Sequence, residues 1–254
     1  MAVSLSSLAV PGVWRGDAWA QASPQVLDTG HEPLNAQLPG GGWPLGCMTE
    51  LLLPPHARCE WPLLLPALSR LCREGAGHVV LVAPPLEPFA PALQVAGLPA
   101  QWLCCIRPPA PGADMAAAWA CEQALRCRDV RAILAWLPQL ATPQLRRLQL
   151  AAAQHRQLLW LLRPEGARAQ PSPAPLRLWL QPQGGALRVQ VLKRRGPHAT
   201  QPVVLPAQNP QLAAMLQAQA WRRRQAQVDA WGMATAAPPQ EVGHAVAGLA
   251  AALH

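Results

Sequence analysis

The sequence predicts an α/β fold: a mostly parallel sheet flanked by helices and extended at one side by an antiparallel hairpin. Three observations predict it. Short continuous apolar runs of strand length, CMTELLL over 47–53, HVVLVA over 78–83, RAILAW over 131–136 and LLWLL over 158–162, lack the in–out alternation of a half-exposed strand and read as strands buried on both faces. Between them lie segments with helical character, such as 61–73, where Trp61, Leu64, Leu65, Leu68 and Leu71 fall on one face. Near the end of this series, 176–180 and 187–192 alternate apolar and polar residues around Pro182-Gln183-Gly184-Gly185, the pattern of a hairpin.

Taken in order, residues 1–26 are a lead-in in which Trp14 and Trp19 can clamp a short helix onto the core or onto a neighbour. Gly40-Gly41-Gly42, Pro44 and Gly46 then make a tight turn into the 47–53 strand. Gly75 and Gly77 end the 61–73 helix, and 78–83 is the candidate central parallel strand. Glu87 is placed to cap a helix over 88–96, and 102–106 is a further short strand. Residues 114–126 read as a helix with an acid first and a base last, as the helix dipole favours. Thr142 is the expected cap of a helix over 143–155 with Pro143 in its first turn, and Arg146, Arg147 and Arg156 form its solvated face. The core is expected to span 27–196. A proline-rich linker over 197–210 follows, then a helix over 211–231, then an Ala-, Gly- and Pro-rich tail over 232–254 expected to be loosely ordered.

Composition narrows the function classes. Hydrophobic residues make up 51% of 254, enough to exclude disorder over most of the chain. The net charge is +8 and the pI near 10.0. Every basic residue but Lys193 is Arg, and Ala, Pro and Trp are heavily used, so biased coding explains the charge as well as polyanion binding does. Seven cysteines include no C-x-x-C pair, and His56 with Cys59 lacks a second ligand pair, which argues against zinc and for reduced thiols. The first residues lack a basic n-region, and no apolar run reaches the roughly 18–20 residues of a membrane span. A cytoplasmic protein is expected. No serine lies in a G-x-S-x-G turn, and the 13 acids are scattered, which leaves a hydrolase without a nucleophile or an acid–base pair.

The segment after the 47–53 strand has the position of a phosphate loop. In G-x-x-x-x-G-K-[ST], backbone N–H groups cradle phosphate, the lysine neutralises it, and the hydroxyl holds Mg²⁺. Here the slot reads Leu53, Pro54, Pro55, His56, Ala57, Arg58, Cys59, Glu60. Leu53 and Arg58 stand at the glycines, and Cys59 and Glu60 at the lysine and hydroxyl. Pro54 and Pro55 have no N–H to offer.

With Asp28-Thr29-Gly30, Leu34, Leu38, Gly40-Gly41-Gly42, Pro44, Gly46 and Glu50, the region resembles the entry to the RecA recombinase core, a RecA-like P-loop NTPase fold. It is more similar to the ImuA family of RecA-like, SulA-related proteins, which combine Trp-Arg-Gly (here Trp14-Arg15-Gly16), Thr-Gly-His (Thr29-Gly30-His31) and a PGGGWP-G-x-x-TELL run (Pro39 to Leu52). The resemblance implies a water-polarising glutamate after the 78–83 strand and a Mg²⁺-holding acid after 131–136. In their places stand Ala83-Pro84-Pro85 and Ala135-Trp136. Three separate losses predict no catalysis, no cofactor and a degenerate nucleotide site. Arg163-Pro164-Glu165-Gly166 falls where a γ-phosphate sensor and a DNA-contacting loop begin, but the loop is short, ending by Pro175.

The resemblance further implies a non-catalytic adaptor in SOS-induced translesion DNA synthesis. Its partners would be an ImuB-like Y-family-type protein and an error-prone polymerase subunit, with RecA as a further candidate; direct DNA contact and nucleoid association stay open. Two surfaces are candidates for docking: Trp221, Arg222, Arg223, Arg224 and Val228 on the terminal helix, and Lys193, Arg194 and Arg195 after the hairpin. The alternatives are a SulA-like inhibitor of a cytoskeletal division GTPase and a direct DNA-binding module.

Overall fold

In the computed structural model, residues 25–75, 77–108, 113–196, 201–207, 221, 222, 224 and 225 are described. The chain divides into two units, Met1–Asn209 and Pro210–His254.

The first unit is an α/β structure built on an eight-stranded mixed sheet. Its strands are β3 (Cys47–Leu53), β4 (His78–Val82), β5 (Leu103–Ile106), β6 (Val130–Trp136), β7 (Leu158–Pro164), β8 (Leu176–Gln183), β9 (Ala186–Lys193) and β10 (Val203–Pro206). Their spatial order is β10-β9-β8-β3-β7-β6-β4-β5. The six strands from β8 to β5 are parallel, and β9 and β10 extend the sheet by antiparallel pairing. A separate ribbon pairs β1 (Val26–Leu27) with β2 (Trp43–Pro44). The helices are α1 (Glu32–Asn35), α2 (Glu60–Glu74), α3 (Ala90–Val95), α4 (Asp114–Arg126) and α5 (Thr142–His155).

Alternation along each strand divides the core between two faces. Leu51, Leu53, Val79, Leu81, Leu134, Trp160 and Leu178 meet α2 through Leu63, Leu64, Leu68 and Leu71. On the other face Met48, Val80, Val82, Ile133, Leu159 and Leu161 meet α4 and α5 through Cys121, Leu125, Leu145 and Leu148. Coverage on both sides is why these strands are apolar throughout. The expected central strand, β4, is an interior strand held by β5 and β6 on either side.

The Thr29-Gly30-His31 turn packs against α2. The Gly30 N–H donates to Asp28 Oδ1 (2.6 Å), and this bond is the main cause holding the Asp28 carboxyl below its ordinary pKa. His31 Nε2 lies 3.2 Å from the Pro62 carbonyl, and burial lowers the pKa of the ring. Gly30 has φ 80°, and an added Cβ would sit 2.2 Å from Cβ of Pro66, so only glycine fits.

Three expectations are corrected. Residues 203–206, read as linker, form β10, in which Val203 and Leu205 turn into the core; its proline is tolerated because the strand is at the edge. Helix α5 begins at Thr142, its cap is Ala141, and no side chain caps it; helix boundaries shift by a residue with ease. Glu87 does not cap α3, whose cap is Phe89; it pairs with Arg107 at 3.2 Å.

Among the described residues no helix is long and apolar enough to cross a membrane. In the second unit Trp221, Arg222, Arg224 and Gln225 are helical and exposed, while Arg223, Val228 and the 232–254 tail lie outside the described residues, as do Trp14 and Trp19.

Candidate functional site

In open parallel sheets ligands bind in a crevice beyond the carboxyl ends of the strands. This chain has a cleft of about 590 Å³ at that place. Its wall collects residues from each of the three segments in which a loss was predicted. Leu53 to Arg58 come from the connection between β3 and α2, Ala83 to Pro85 from the end of β4, and Trp136 and Pro138 from the end of β6. Arg107, Pro108, Asp114, Arg163 and Pro164 complete much of the remainder. The three positions are distant in sequence and are brought to one place by parallel registry, which aligns Leu81 with Leu134 and Ala135 with Leu161.

The segment expected to be a phosphate loop offers a polyphosphate few backbone donors. Pro54 and Pro55 supply no donors, and the Ala57 N–H closes a turn onto the Pro54 carbonyl (3.1 Å). His56 takes φ 61° and Ala83 φ 53°, so two of the three described non-glycine residues with positive φ line this cleft. Such backbone costs about 1–3 kcal/mol per residue and is held only by firm surroundings.

The amino end of α2, where a phosphate would meet the helix dipole, carries the chain's own carboxylate. Glu60 is the first helical residue, is 1% exposed, and has one carboxylate oxygen without a hydrogen-bond partner. The dipole favours a negative charge there by about 0.3–1 kcal/mol. Burial opposes it by several kcal/mol. Burial wins and raises the Glu60 pKa, against smaller lowering by its own backbone N–H, by Arg58 and by Trp136. Neighbouring Cys59 is also buried, its thiol pushed up to about 11 first by desolvation, which makes it a poor nucleophile. Trp136 packs on Trp61 with ring centroids 6.5 Å apart.

Beside the cleft lies a constellation that sequence reading missed. Glu50, fully buried in β3, receives Arg163 Nη1 on one oxygen (2.7 Å) and Arg177 Nε on the other. The arginines also tie down neighbouring segments: Arg163 donates to the Leu140 carbonyl ahead of α5 (3.3 Å) and to Gln170 Oε1 after β7 (2.8 Å), and Arg177 to the Ala167 carbonyl after β7 (2.8 Å). Trp179 Nε1 donates to Glu165 Oε2 (3.0 Å), and Arg168 stacks over the Trp179 ring at 3.8 Å. The expected sensor position, Arg163 to Gly166, is therefore part of a latch on the sheet. Its signal in the sequence is a lone charge inside each of three apolar strands.

The basic run after the hairpin is elsewhere. Lys193 pairs with Arg177 near the start of β8, level with Glu50 in the middle of β3, and is not among the residues lining the cleft. Its Nζ donates to the Ser172 carbonyl (2.9 Å), Arg194 donates to the Gln37 carbonyl, and Arg195 is exposed beside Cys47, whose thiol pKa it lowers against the larger effect of burial. Compared with models of known protein families the chain matches none, and no curated protein matches it in sequence.

Proposed function

We propose that the chain is a non-catalytic, RecA-like adaptor of the ImuA kind, serving SOS-induced translesion DNA synthesis by assembling with an ImuB-like protein, an error-prone polymerase subunit and RecA. The observation that carries this reading is the convergence of three unsuitable segments on one cleft. A proline pair, Pro54-Pro55, replaces donor amides, Ala83-Pro84-Pro85 stands where a glutamate would polarise water, and Trp136 where an acid would hold Mg²⁺. The parallel sheet, its first strand running from a glycine turn into an altered phosphate loop, and the closing hairpin support the resemblance.

A protein of this kind acts by being held. Its working surfaces are docking surfaces, and exposed Trp221 with Arg222 and Arg224 has the composition of a binding hot spot. The test is capture of purified ImuB and RecA by the intact chain and by a truncation ending at Pro210. The intact chain binds and the truncation binds much more weakly; equal capture sinks the assignment to the terminal helix, and capture by neither sinks the adaptor.

A further inference from the structure

The cleft, poor in donors for a triphosphate, has a lining suited to something else. Seven proline rings at the carboxyl ends of five strands contribute to its wall, giving apolar ring faces and no N–H groups. Trp136, half buried, adds an aromatic surface. Around this apolar lining the charge is mostly positive. Exposed Arg58 directs one N–H to the adjacent Ala57 carbonyl (2.8 Å) and forms no ion pair among the described residues. Arg107 is exposed, with Glu87 as its partner at 3.2 Å. The one acid of the lining, Asp114, already accepts the Gln139 N–H at 2.8 Å.

Arg163 also lines the cleft, 3% exposed, its guanidinium held by Glu50 and Gln170, and adds to the positive side of the wall. The volume, about 590 Å³, is within the range of small-ligand sites and holds a few side chains of a peptide.

We infer that this cleft docks a short acidic–aromatic peptide segment of a partner protein. An aromatic side chain lies between the proline walls and against Trp136, and an adjacent carboxylate is held by Arg58 and Arg107. The inference rests on the adaptor reading and names the surface of the core, as distinct from the terminal helix, that meets a partner.

The experiment is an array of six-residue peptides in which a central Phe, Trp, Leu or Ala is flanked by Asp or by Lys, probed with the full chain. The strongest sequence is then measured by fluorescence anisotropy. Aromatic peptides flanked by Asp bind best. Arg58→Glu and Arg107→Glu, both on exposed residues, weaken them by about tenfold or more, as loss of a close charge pair does, and gain affinity for the Lys-flanked peptides. The inference is overturned if no peptide binds, if Lys flanks serve the wild type as well as Asp flanks, or if both variants bind unchanged. Tighter, Arg58-dependent binding of single-stranded DNA would overturn it in favour of a nucleic acid. If the two variants still capture ImuB and RecA while binding no peptide differently, the inference falls and the adaptor reading stands. Displacement of a bound peptide by Mg·ATP would leave the cleft as the docking site and remove the claim that it rejects nucleotide.

Discussion

Glu50 and Glu60 lie ten residues apart in one strand–turn–helix unit, both essentially without solvent exposure, and they are treated in opposite ways. Glu50 is met by two guanidinium groups, which also tie down the segment after β7. Glu60 forms no ion pair among the described residues, and one of its oxygens has no partner. The first is a charge used to hold a fold together. The second is a charge kept at a cost at the amino end of α2, and the contrast separates the two carboxylates more sharply than burial alone.

The contrast can be broken at its strong end. Glu50→Ala leaves two buried arginines unpaired and should lower stability by about 3–5 kcal/mol, read from the denaturant midpoint. A loss below 1 kcal/mol would mean that the pairs do not hold the sheet. At the weak end the sign reverses. Because burial raises the Glu60 pKa above its unfolded value, ionisation destabilises the native state, so the stability linked to this group is full below the ordinary carboxylate pKa of about 4.3 and is lost as pH rises through the raised value. Glu60→Gln is therefore expected to be more stable than the parent at neutral pH, with the difference closing below that range; thermal melts across pH check it, and a less stable Gln variant at neutral pH contradicts it.

Glu122 sharpens the comparison further. It too touches two arginines, Arg126 at 2.8 Å and Arg147 at 2.7 Å, but at the surface, where both arginine side chains are more than half exposed. Water screens such pairs, and Glu122→Ala should cost less than about 1 kcal/mol. Equal losses for Glu50→Ala and Glu122→Ala would show that burial is not what gives the Glu50 cluster its strength.

Much of the sheet was legible because its parallel strands are covered on both faces and so are apolar in unbroken runs. The strand Cys47–Leu53 and the helix Asp114–Arg126 have the bounds the pattern implied. The Glu50 cluster was not legible for a reason of distance: Arg163 and Arg177 are 113 and 127 positions away, and spacing rules reach only neighbours on one element. Strand β10 was hidden by Pro202 and Pro206, which read as linker composition although an edge position admits proline. The cleft was half legible. Its unsuitable residues could be named from three motif positions, but their meeting in one place, and the part Arg163 plays there, depend on strand order.

Thermal unfolding of the full chain with and without Mg·ATP asks whether this chain grips a triphosphate. A ligand at 100 times its Kd stabilises a protein by about 2.7 kcal/mol, roughly 5–10 °C for a domain of this size. No ATP-dependent shift is expected; a clear rise in Tm with Mg·ATP would show that the folded chain binds a triphosphate and would overturn the non-catalytic reading.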